Sequence, residues 1–404
     1  MSPAACDDVR LREGRGARSE MPIRTLSDLV TTANMAAFSV AFATKARWHA
    51  EMPMRTDISE LCPWPTFDAL IATGAIPADK FAVLLNAKSM LKSFYVDERG
   101  QLRPDAIQAF AAQGATLTVN NIDRFVPAIG ELATAIEREL CCKTGVNAYI
   151  SFGTKSAFLA HSDDHDVLIV QLQGVKHWRT YGVPEPFPTR SVHMGSPPPC
   201  EWEGRMTPGD LLYLPRGEVH AAVPEEQPSM HLTIGIAEQT GVDFIAWLAT
   251  KAKEVVALRR DLGATLPREA RVARDRELIQ SILDLLETAT VGEFEALQAT
   301  QRSLRPLASF GIAGRLTPTS RLVSALRREV DLMVEREGAA QLVIGEQRFR
   351  LSLNGRLALA NINHLGTVSF GALTEELAGK MSVNDLAKAI QELAEKSLVA
   401  IAED

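Results

Sequence analysis

The chain has 404 residues, of which 46% are hydrophobic and 23% are charged, and this composition excludes a mainly disordered or fibrous protein. Its length suggests two or three domains, and its net charge of −7 excludes a large cationic field for nucleic acid. The sequence contains no apolar run of 18 residues, so we expect no membrane span. The five cysteines are few and odd in number, which favours a reducing compartment, and we expect a cytoplasmic protein.

The first third of the chain is predicted to be mainly helical. Residues 1–20 hold several arginines without an apolar segment, so we expect a disordered tail, and Met21 is an alternative start. One helix is predicted to open at residues 26–29. Apolar residues at spacings of three and four predict another over 129–140, after a short strand at 117–119.

Between residues 146 and 238 the pattern changes to strands. Residues 167–172 are apolar and β-branched, and residues 176–181 alternate after a turn at Gln173 and Gly174, which predicts a β-hairpin. Further strands are predicted at 211–214 and 231–236. Short strands with glycine and proline between them indicate an antiparallel barrel or double sheet.

Helices are predicted again from residue 241, over 242–262 and 268–288. The second carries an apolar stripe that includes Leu278, Ile282, Leu285 and Leu286. The last 65 residues are predicted to form a small winged helix. Its elements are two strands (341–344, 348–353), a helix near 370–378, a helix that begins after Ser382, and a closing strand (398–401).

The segment His161-Ser162-Asp163 is the strongest chemical signal in the sequence. Residues two apart in extended chain point to one face, so His161 and Asp163 can present an imidazole and a carboxylate to one metal ion. His220, just past the strand at 211–214, is the candidate third ligand. Two histidines and one carboxylate form the facial triad of non-haem Fe(II) oxygenases. The neighbouring Asp164, His165 and Asp166 are competing ligands, and we prefer Asp163 because Asp166 then begins the next strand.

Several segments together resemble the JmjC-type ribosomal oxygenases, which are cupin-fold Fe(II)/2-oxoglutarate hydroxylases of ribosomal proteins. The resemblance is carried by Asn147-Ala148-Tyr149, His161-Ser162-Asp163-Asp164, residues 167–179, Gly209-Asp210-Leu211-Leu212-Tyr213-Leu214-Pro215 with His220, and Met230-His231-Leu232-Thr233. It is specific over about 115–238 and loose elsewhere. Gly235 stands where eukaryotic members of the family carry a serine.

The resemblance implies a fold, a site and an assembly. It implies an α+β chain with a double-stranded β-helix (a cupin or JmjC jelly roll) over 21–240, a helical dimerisation region over 241–325 and a winged-helix domain over 326–404. It assigns Fe(II) to His161, Asp163 and His220, and 2-oxoglutarate to Lys176, with Asn147 and Tyr149 lining the pocket. O₂ would be the second cosubstrate, no catalytic residue beyond the metal ligands is implied, and the family layout favours a homodimer.

Two classes of function remain open at this stage. The first is a 2-oxoglutarate-dependent hydroxylase whose substrate is a protein or peptide, either a ribosomal protein or a natural-product precursor peptide. The second is a non-catalytic metal-binding cupin regulator whose winged helix binds DNA. Residues 341–404 hold six Lys or Arg against eight Asp or Glu, which disfavours nucleic acid as a partner. Methyl-lysine demethylation by the same chemistry would need a cage that the sequence does not indicate. No membrane partner is expected.

Overall fold

A computed structural model describes residues 22–52, 56–156, 158–225, 228–302, 304–305, 307, 316–330, 333–334 and 340–402. The predicted tail at 1–20 and the alternative start at Met21 lie outside these residues. Within the described ranges, no helix is both long enough and apolar enough to cross a membrane.

The strands are numbered β1 to β19 in chain order. They are β1 (Trp48–Ala50), β2 (Phe81–Leu85), β3 (Lys88–Ser89), β4 (Thr116–Val119), β5 (Lys143–Ser151), β6 (Ala160–Ser162), β7 (Asp166–Gln173), β8 (Lys176–Thr180), β9 (Val192–Met194), β10 (Trp202–Met206), β11 (Leu211–Leu214), β12 (His220–Pro224), β13 (Ser229–Ala237), β14 (Arg321–Ser324), β15 (Met333–Val334), β16 (Ala340–Ile344), β17 (Gln347–Leu351), β18 (Thr367–Ser369) and β19 (Val399–Ala402).

The α-helices are numbered in the same way. They are α1 (Leu26–Val30), α2 (Thr32–Thr44), α3 (Trp64–Ala72), α4 (Pro104–Ala112), α5 (Pro127–Glu139), α6 (Gly241–Lys251), α7 (Val256–Arg259), α8 (Arg268–Thr288), α9 (Val291–Gln301), α10 (Leu353–Leu365), α11 (Phe370–Glu376) and α12 (Val383–Glu395).

Two antiparallel sheets form the central unit. The larger has eight strands in the order β1-β11-β7-β13-β5-β4-β2-β3, and the smaller has five in the order β10-β8-β12-β6-β9. Val167 and Ile169 of the larger sheet share one apolar cluster with Trp178 and Met206 of the smaller sheet. The space between the two sheets is therefore where inward side chains from both can meet, as in the predicted double sheet.

The predicted hairpin at Gln173 and Gly174 is wrong. β7 pairs with β11 on one edge and β13 on the other, whereas β8 pairs with β10 and β12 in the smaller sheet. Both edges of β7 are already occupied, so β8 has no edge there to join. Gly174 has φ +61°, and a Cβ on it would lie 2.5 Å from the Pro228 carbonyl oxygen. At this turn the chain thus crosses from one sheet to the other. Glycine is needed there because φ is positive and because a Cβ would clash with the Pro228 carbonyl oxygen.

The N-terminal helices cover the outer face of the larger sheet. α1 begins at a capping box in which the Thr25 hydroxyl accepts from the Asp28 N–H and the Asp28 carboxylate accepts from the Thr25 N–H. In α5 the buried residues include Ile129, Leu132 and Ile136, and they join one core with the outward face of β5. The predicted helices at these two places and the predicted strand at β4 are therefore present.

Four helices follow the sheets. The helix predicted over 242–262 is instead broken: α6 ends at Lys251, a 3₁₀ turn follows, and α7 begins after Val255, whose backbone is extended. α8 spans the predicted range. Apart from Arg274, none of its residues is buried by the part of the chain that the structure describes. In its apolar stripe Ile282 and Leu286 are exposed, whereas Leu278 and Leu285 are half-buried.

The C-terminal part has an apolar core of its own, built from α10, α11, α12 and the strands around them. β14 lies between β18 and β19, and β16 lies between β15 and β17. Helix α10 was missed by the sequence analysis, although Ser352 caps its start and Gly366, with φ +74°, follows its end. The other predicted C-terminal helices and strands are present within a few residues.

Candidate metal centre and adjoining cavity

The three residues predicted as metal ligands lie together at one end of the smaller sheet. His161 in β6 and His220 in β12 are direct cross-strand partners, so both side chains point to the same face, and their ring centroids are 4.4 Å apart. Asp163 follows the end of β6, and its Oδ2 lies 3.7 Å from His220 Nε2. One ligand atom from each residue falls within 4.8 Å of the other two. This arrangement is a possible metal site.

Backbone contacts set the orientation of both imidazoles. His161 Nδ1 lies 3.1 Å from the Leu159 carbonyl oxygen, and His220 Nδ1 lies 2.9 Å from the Glu218 carbonyl oxygen. A carbonyl can only accept, so in each neutral ring Nδ1 carries the proton and Nε2 keeps its lone pair. Burial lowers the pKa of His220 to about 4. The His220 ring is therefore held in the form that binds a metal.

The competing candidates beside Asp163 have other partners. Asp166 begins β7, where its carboxylate accepts from the Tyr213 hydroxyl, the Arg216 N–H and the Lys45 ammonium. Asp164 Oδ1 lies 2.9 Å from His165 Nδ1. The His165 ring lies close to Gly235. A Cβ on Gly235 would be 3.0 Å from His165 Nε2. None of the three belongs to the group of ligand atoms described above.

Strands β5 and β13 of the larger sheet supply the facing wall of the cavity. Tyr149 is the cross-strand partner of His231, and Asn147 is the partner of Thr233, so all four side chains share one face. Along β5 the alternate residues Val146, Ala148 and Ile150 are buried in the core. Asn147 and Tyr149, predicted to line a cosubstrate pocket, therefore do line the cavity that contains the possible metal site.

Tyr149 and Asn147 are themselves well held. The Tyr149 ring stacks on the His231 ring at 5.0 Å, and Asn147 Oδ1 accepts from the Asn121 N–H at 3.1 Å. Burial raises the pKa of Tyr149 to about 12, so its hydroxyl keeps its proton. Both side chains thus offer uncharged polar groups in fixed places.

Lys176 is a buried amine in the same cavity. The residue is 2% exposed, and Nζ lies 2.7 Å from His231 Nδ1 and 3.4 Å from the Tyr149 carbonyl oxygen. Among the described residues, no carboxylate forms an ion pair with it. A buried ammonium without a counter-ion is costly, and here burial lowers the Lys176 pKa to about 7. The site therefore suits an anionic ligand.

The alternative cations are turned elsewhere. Arg179 donates to Glu203 in an exposed pair, and Arg216 lies over the Phe187 ring. Neither of them lines the cavity that holds Lys176.

Two cavity residues were not singled out as site residues in the sequence analysis. His231 and Thr233 were noted only as part of a strand, and their spacing of two residues is the signal that would have placed them on one inward face. Trp178, two residues after Lys176, is 4% exposed, and its indole N–H has no acceptor among the described residues.

Residues 119–244 match the sequence pattern of the JmjC domain family, the range that contains every site residue described above. This part of the chain is a JmjC domain. The predicted resemblance to JmjC domains is thereby confirmed over these residues.

Curated relatives of the JmjC domain are named bifunctional lysine-specific demethylase and histidyl-hydroxylase NO66. The Drosophila sechellia protein is 27% identical over 151 residues, 36% of this chain and 23% of its own length. The Drosophila persimilis protein is 24% identical over 228 residues, 54% of this chain and 32% of its own length. The chain therefore matches about a third or less of either relative.

Solved structures of Escherichia coli YcfD share the fold. The ribosomal oxygenase in complex with cobalt and 2-oxoglutarate has a TM-score of 0.57 at 15% identity and covers 92% of this chain and 98% of its own. A complex with cobalt and succinic acid has a TM-score of 0.57 at 14% identity, with the same coverage. At these identities the likeness shows the fold, a JmjC or cupin-type double sheet with additional helices.

The donor atoms around the cavity fit the metal and cosubstrate that the sequence predicts. Two imidazole nitrogens and a carboxylate on one side of a centre leave positions open for further ligands, as in the facial triad of Fe(II) oxygenases. At another point of the cavity, the Lys176 ammonium offers a cation to a second anionic group. A metal-chelating dicarboxylate satisfies both ends.

Proposed function

We propose that the chain is an Fe(II)/2-oxoglutarate-dependent oxygenase that hydroxylates an amino-acid side chain of a protein or peptide. The observation that carries the proposal is one cavity that joins the His161, Asp163 and His220 cluster to the uncompensated ammonium of Lys176. Metal binding alone would not require a buried cation that costs stability.

In this proposal each site residue has a separate task. His161, Asp163 and His220 hold Fe(II), Lys176 binds the carboxylate of 2-oxoglutarate that is remote from the metal, and Asn147 and Tyr149 line the pocket. When bound, iron with 2-oxoglutarate and O₂ supplies the oxidising power, and the balance is one hydroxylated C–H bond, succinate and CO₂. The protein orients the reactants, and no general base is required.

The family likeness and the residues that line the cavity support a substrate class. We propose a ribosomal protein or a precursor peptide as substrate, and hence a cytoplasmic location. Polar and aromatic groups, including Ser156 and Phe158, line the same cavity as the possible metal site and could meet an incoming side chain.

We also propose the domain limits that the sequence predicts: a catalytic domain over 21–240, a helical dimerisation region over 241–325 and a winged helix over 326–404. The hairpin of β16 and β17 with α10, α11 and α12 supports the last of these. Lys388 on α12 is exposed, but Lys396, the residue that follows the helix, has its Nζ 3.7 Å from Glu392, so this helix offers little charge for phosphates. A docking unit for protein or peptide fits better than a DNA reader.

The test is turnover followed by mass spectrometry. Protein reconstituted with Fe(II) should form succinate from 2-oxoglutarate, and candidate ribosomal proteins or precursor peptides should gain one oxygen atom on a single side chain. Loss of a methyl group with release of formaldehyde would instead identify a demethylase. Absence of any 2-oxoglutarate binding, together with specific DNA binding, would favour the regulator.

A further inference from the structure

His231 is the direct hydrogen-bond partner of the buried Lys176 ammonium. The distance from Lys176 Nζ to His231 Nδ1 is 2.7 Å, and both residues are at most 5% exposed. A carboxylate is the usual partner of a buried ammonium, yet here the partner is an imidazole. This choice of partner matters for what else the ammonium can bind.

We propose that His231 is a positioning residue that accepts one hydrogen bond from Lys176 through a neutral Nδ1 and so aims the ammonium at the remote carboxylate of 2-oxoglutarate. The inference rests on the proposed function, because it assigns His231 a task in binding the same cosubstrate. It concerns how the protein keeps a cation available, and it goes beyond the assignment of Lys176 itself.

An uncharged acceptor is what this place in the cavity requires. A carboxylate at residue 231 would neutralise Lys176 and compete with the carboxylate of the cosubstrate for it. An apolar residue would leave the N–H group without a partner, which is costly for a buried charge. A neutral imidazole fixes the ammonium and leaves its positive charge for the ligand.

The surroundings of His231 keep its ring neutral and in place. Burial, and then the charge of Lys176, hold the pKa of His231 well below its usual value. The ring stacks on Tyr149 at 5.0 Å and meets the Trp178 ring edge-on at 5.2 Å, so it cannot turn freely. With Nδ1 accepting from Lys176, the ring proton is on Nε2.

A matched pair of substitutions separates the hydrogen bond from packing. Asn places Oδ1 the same number of bonds from the backbone as His Nδ1, so His231→Asn keeps an acceptor. Leucine is similar to asparagine in size and branching, but His231→Leu provides no hydrogen-bond acceptor. Calorimetry on the full chain loaded with Mn(II), without O₂, would give the dissociation constant for 2-oxoglutarate, and electron paramagnetic resonance would give the Mn(II) affinity.

The expected result is that His231→Leu weakens 2-oxoglutarate binding about tenfold or more, because a hydrogen bond to a charged group is lost. His231→Asn should recover most of the wild-type affinity, and Mn(II) affinity should be the same in all three proteins. Equal 2-oxoglutarate binding by wild type and His231→Leu would overturn the inference. Equal weakening in both variants would overturn it too, because only ring packing would then matter.

Failure of the proposed function would look different. In that case the wild-type chain with Mn(II) would not bind 2-oxoglutarate, or Lys176→Met would bind it as tightly as wild type does. Either result would also overturn the role of His231. Should His231→Leu not fold, nitrogen NMR of histidine-labelled wild type decides the matter, with His231→Asn giving the assignment. A proton on Nδ1 of His231 would overturn the inference, and a bare Nδ1 supports it.

Discussion

Lys176 is a residue at which stability and binding oppose each other. Its ammonium is buried without a carboxylate partner among the described residues, so its burial costs free energy in the folded chain. We expect Lys176→Met to raise the free energy of unfolding by about 1 kcal/mol or more, since methionine fills a similar volume without charge. The same variant should raise the KM for 2-oxoglutarate about tenfold or more. Denaturant unfolding and initial rates would check the two effects.

The increase in the free energy of unfolding that we expect for Lys176→Met depends on pH, and the sign of this dependence can be derived. The folded-state pKa of Lys176 is about 7, below its ordinary value of 10.5, so the folded chain binds fewer protons than the unfolded chain between these values. The cost of burial is therefore complete below the folded pKa and fades as the pH rises toward the unfolded value. The stability difference between Lys176→Met and wild type should be larger at about pH 7 than at about pH 9. A difference that grows with pH would contradict this assignment.

Asp163 supplies the single carboxylate of the possible metal site. We expect Asp163→Ala to abolish Fe(II)-dependent turnover of 2-oxoglutarate with little change in the thermal midpoint, since the side chain is outside the apolar core. His165→Ala is the matched control, because His165 lines the same cavity but lies outside the ligand group. Assays of succinate formation on both variants would check this. Activity retained in Asp163→Ala but lost in His165→Ala would mean that the ligand assignment is wrong.

The metal ligands were predicted from the sequence and the partner of Lys176 was not, because only the metal ligands share a short segment of the chain. His161 and Asp163 share a short motif, and the strand periodicity of two is enough to place them on one face. The partnership of His231 with Lys176 joins two different sheets across the cavity. No spacing along the chain encodes that contact, so the sequence predicts the metal ligands more readily than the partner of the cation.

Helix α5 of the JmjC domain makes a buried ionic contact with segments that follow the domain. Glu137 is fully buried, and its carboxylate accepts two hydrogen bonds from Arg302, at 2.5 Å and 2.7 Å. Arg327 and Arg328 also approach it, each at 3.7 Å. The carboxylate is thus shared by three guanidinium groups that belong to segments after the JmjC domain.

We expect Glu137→Gln to destabilise the chain by about 3 kcal/mol, because buried guanidinium groups lose their counter-ion. Thermal unfolding followed by circular dichroism would measure the loss. Asp105→Asn is the control, since it breaks the exposed pair of Asp105 with Arg103 and should leave the midpoint unchanged. Equal effects of the two substitutions would show that the buried cluster does not hold these parts together.

Helices and strands were predicted well where a local sequence pattern determines them. Features that depend on contacts with distant segments, such as strand pairing, were predicted poorly. The strand β7 is evident from its apolar run, but which strands flank it is not, and the apparent hairpin with β8 fails for that reason. The break between α6 and α7 is equally hidden, because the sequence around Val255 has no proline or glycine. For α10, the capping residues Ser352 and Gly366 are present in the sequence, but the helix was not predicted from them.

The apolar surface of α8 is a feature of the whole molecule. Its first half is anchored by Arg274, whose guanidinium donates to the carbonyl oxygens of Ala257 and Arg260. In its second half Ile282 is 42% exposed and Leu286 is 47% exposed, whereas Leu278 and Leu285 are half-buried. Among the described residues, Ile282 and Leu286 are therefore not buried against the chain's own sheets. Exposed apolar side chains that line up on one helix favour burial against another molecule.

We predict a homodimer with Ile282 and Leu286 in its interface, formed by the same surface on two copies about a two-fold axis. Light scattering at micromolar concentration should give about twice the chain mass of 44.1 kDa. Ile282→Asp combined with Leu286→Asp should give a soluble monomer, because two carboxylates would be buried unpaired in the interface. Leu353→Asp with Val383→Asp is the control, since both positions are about equally exposed but lie at the first turns of α10 and α12. A wild-type mass near that of one chain at every concentration would rule the dimer out, and loss of the dimer in the control as well would place the interface elsewhere.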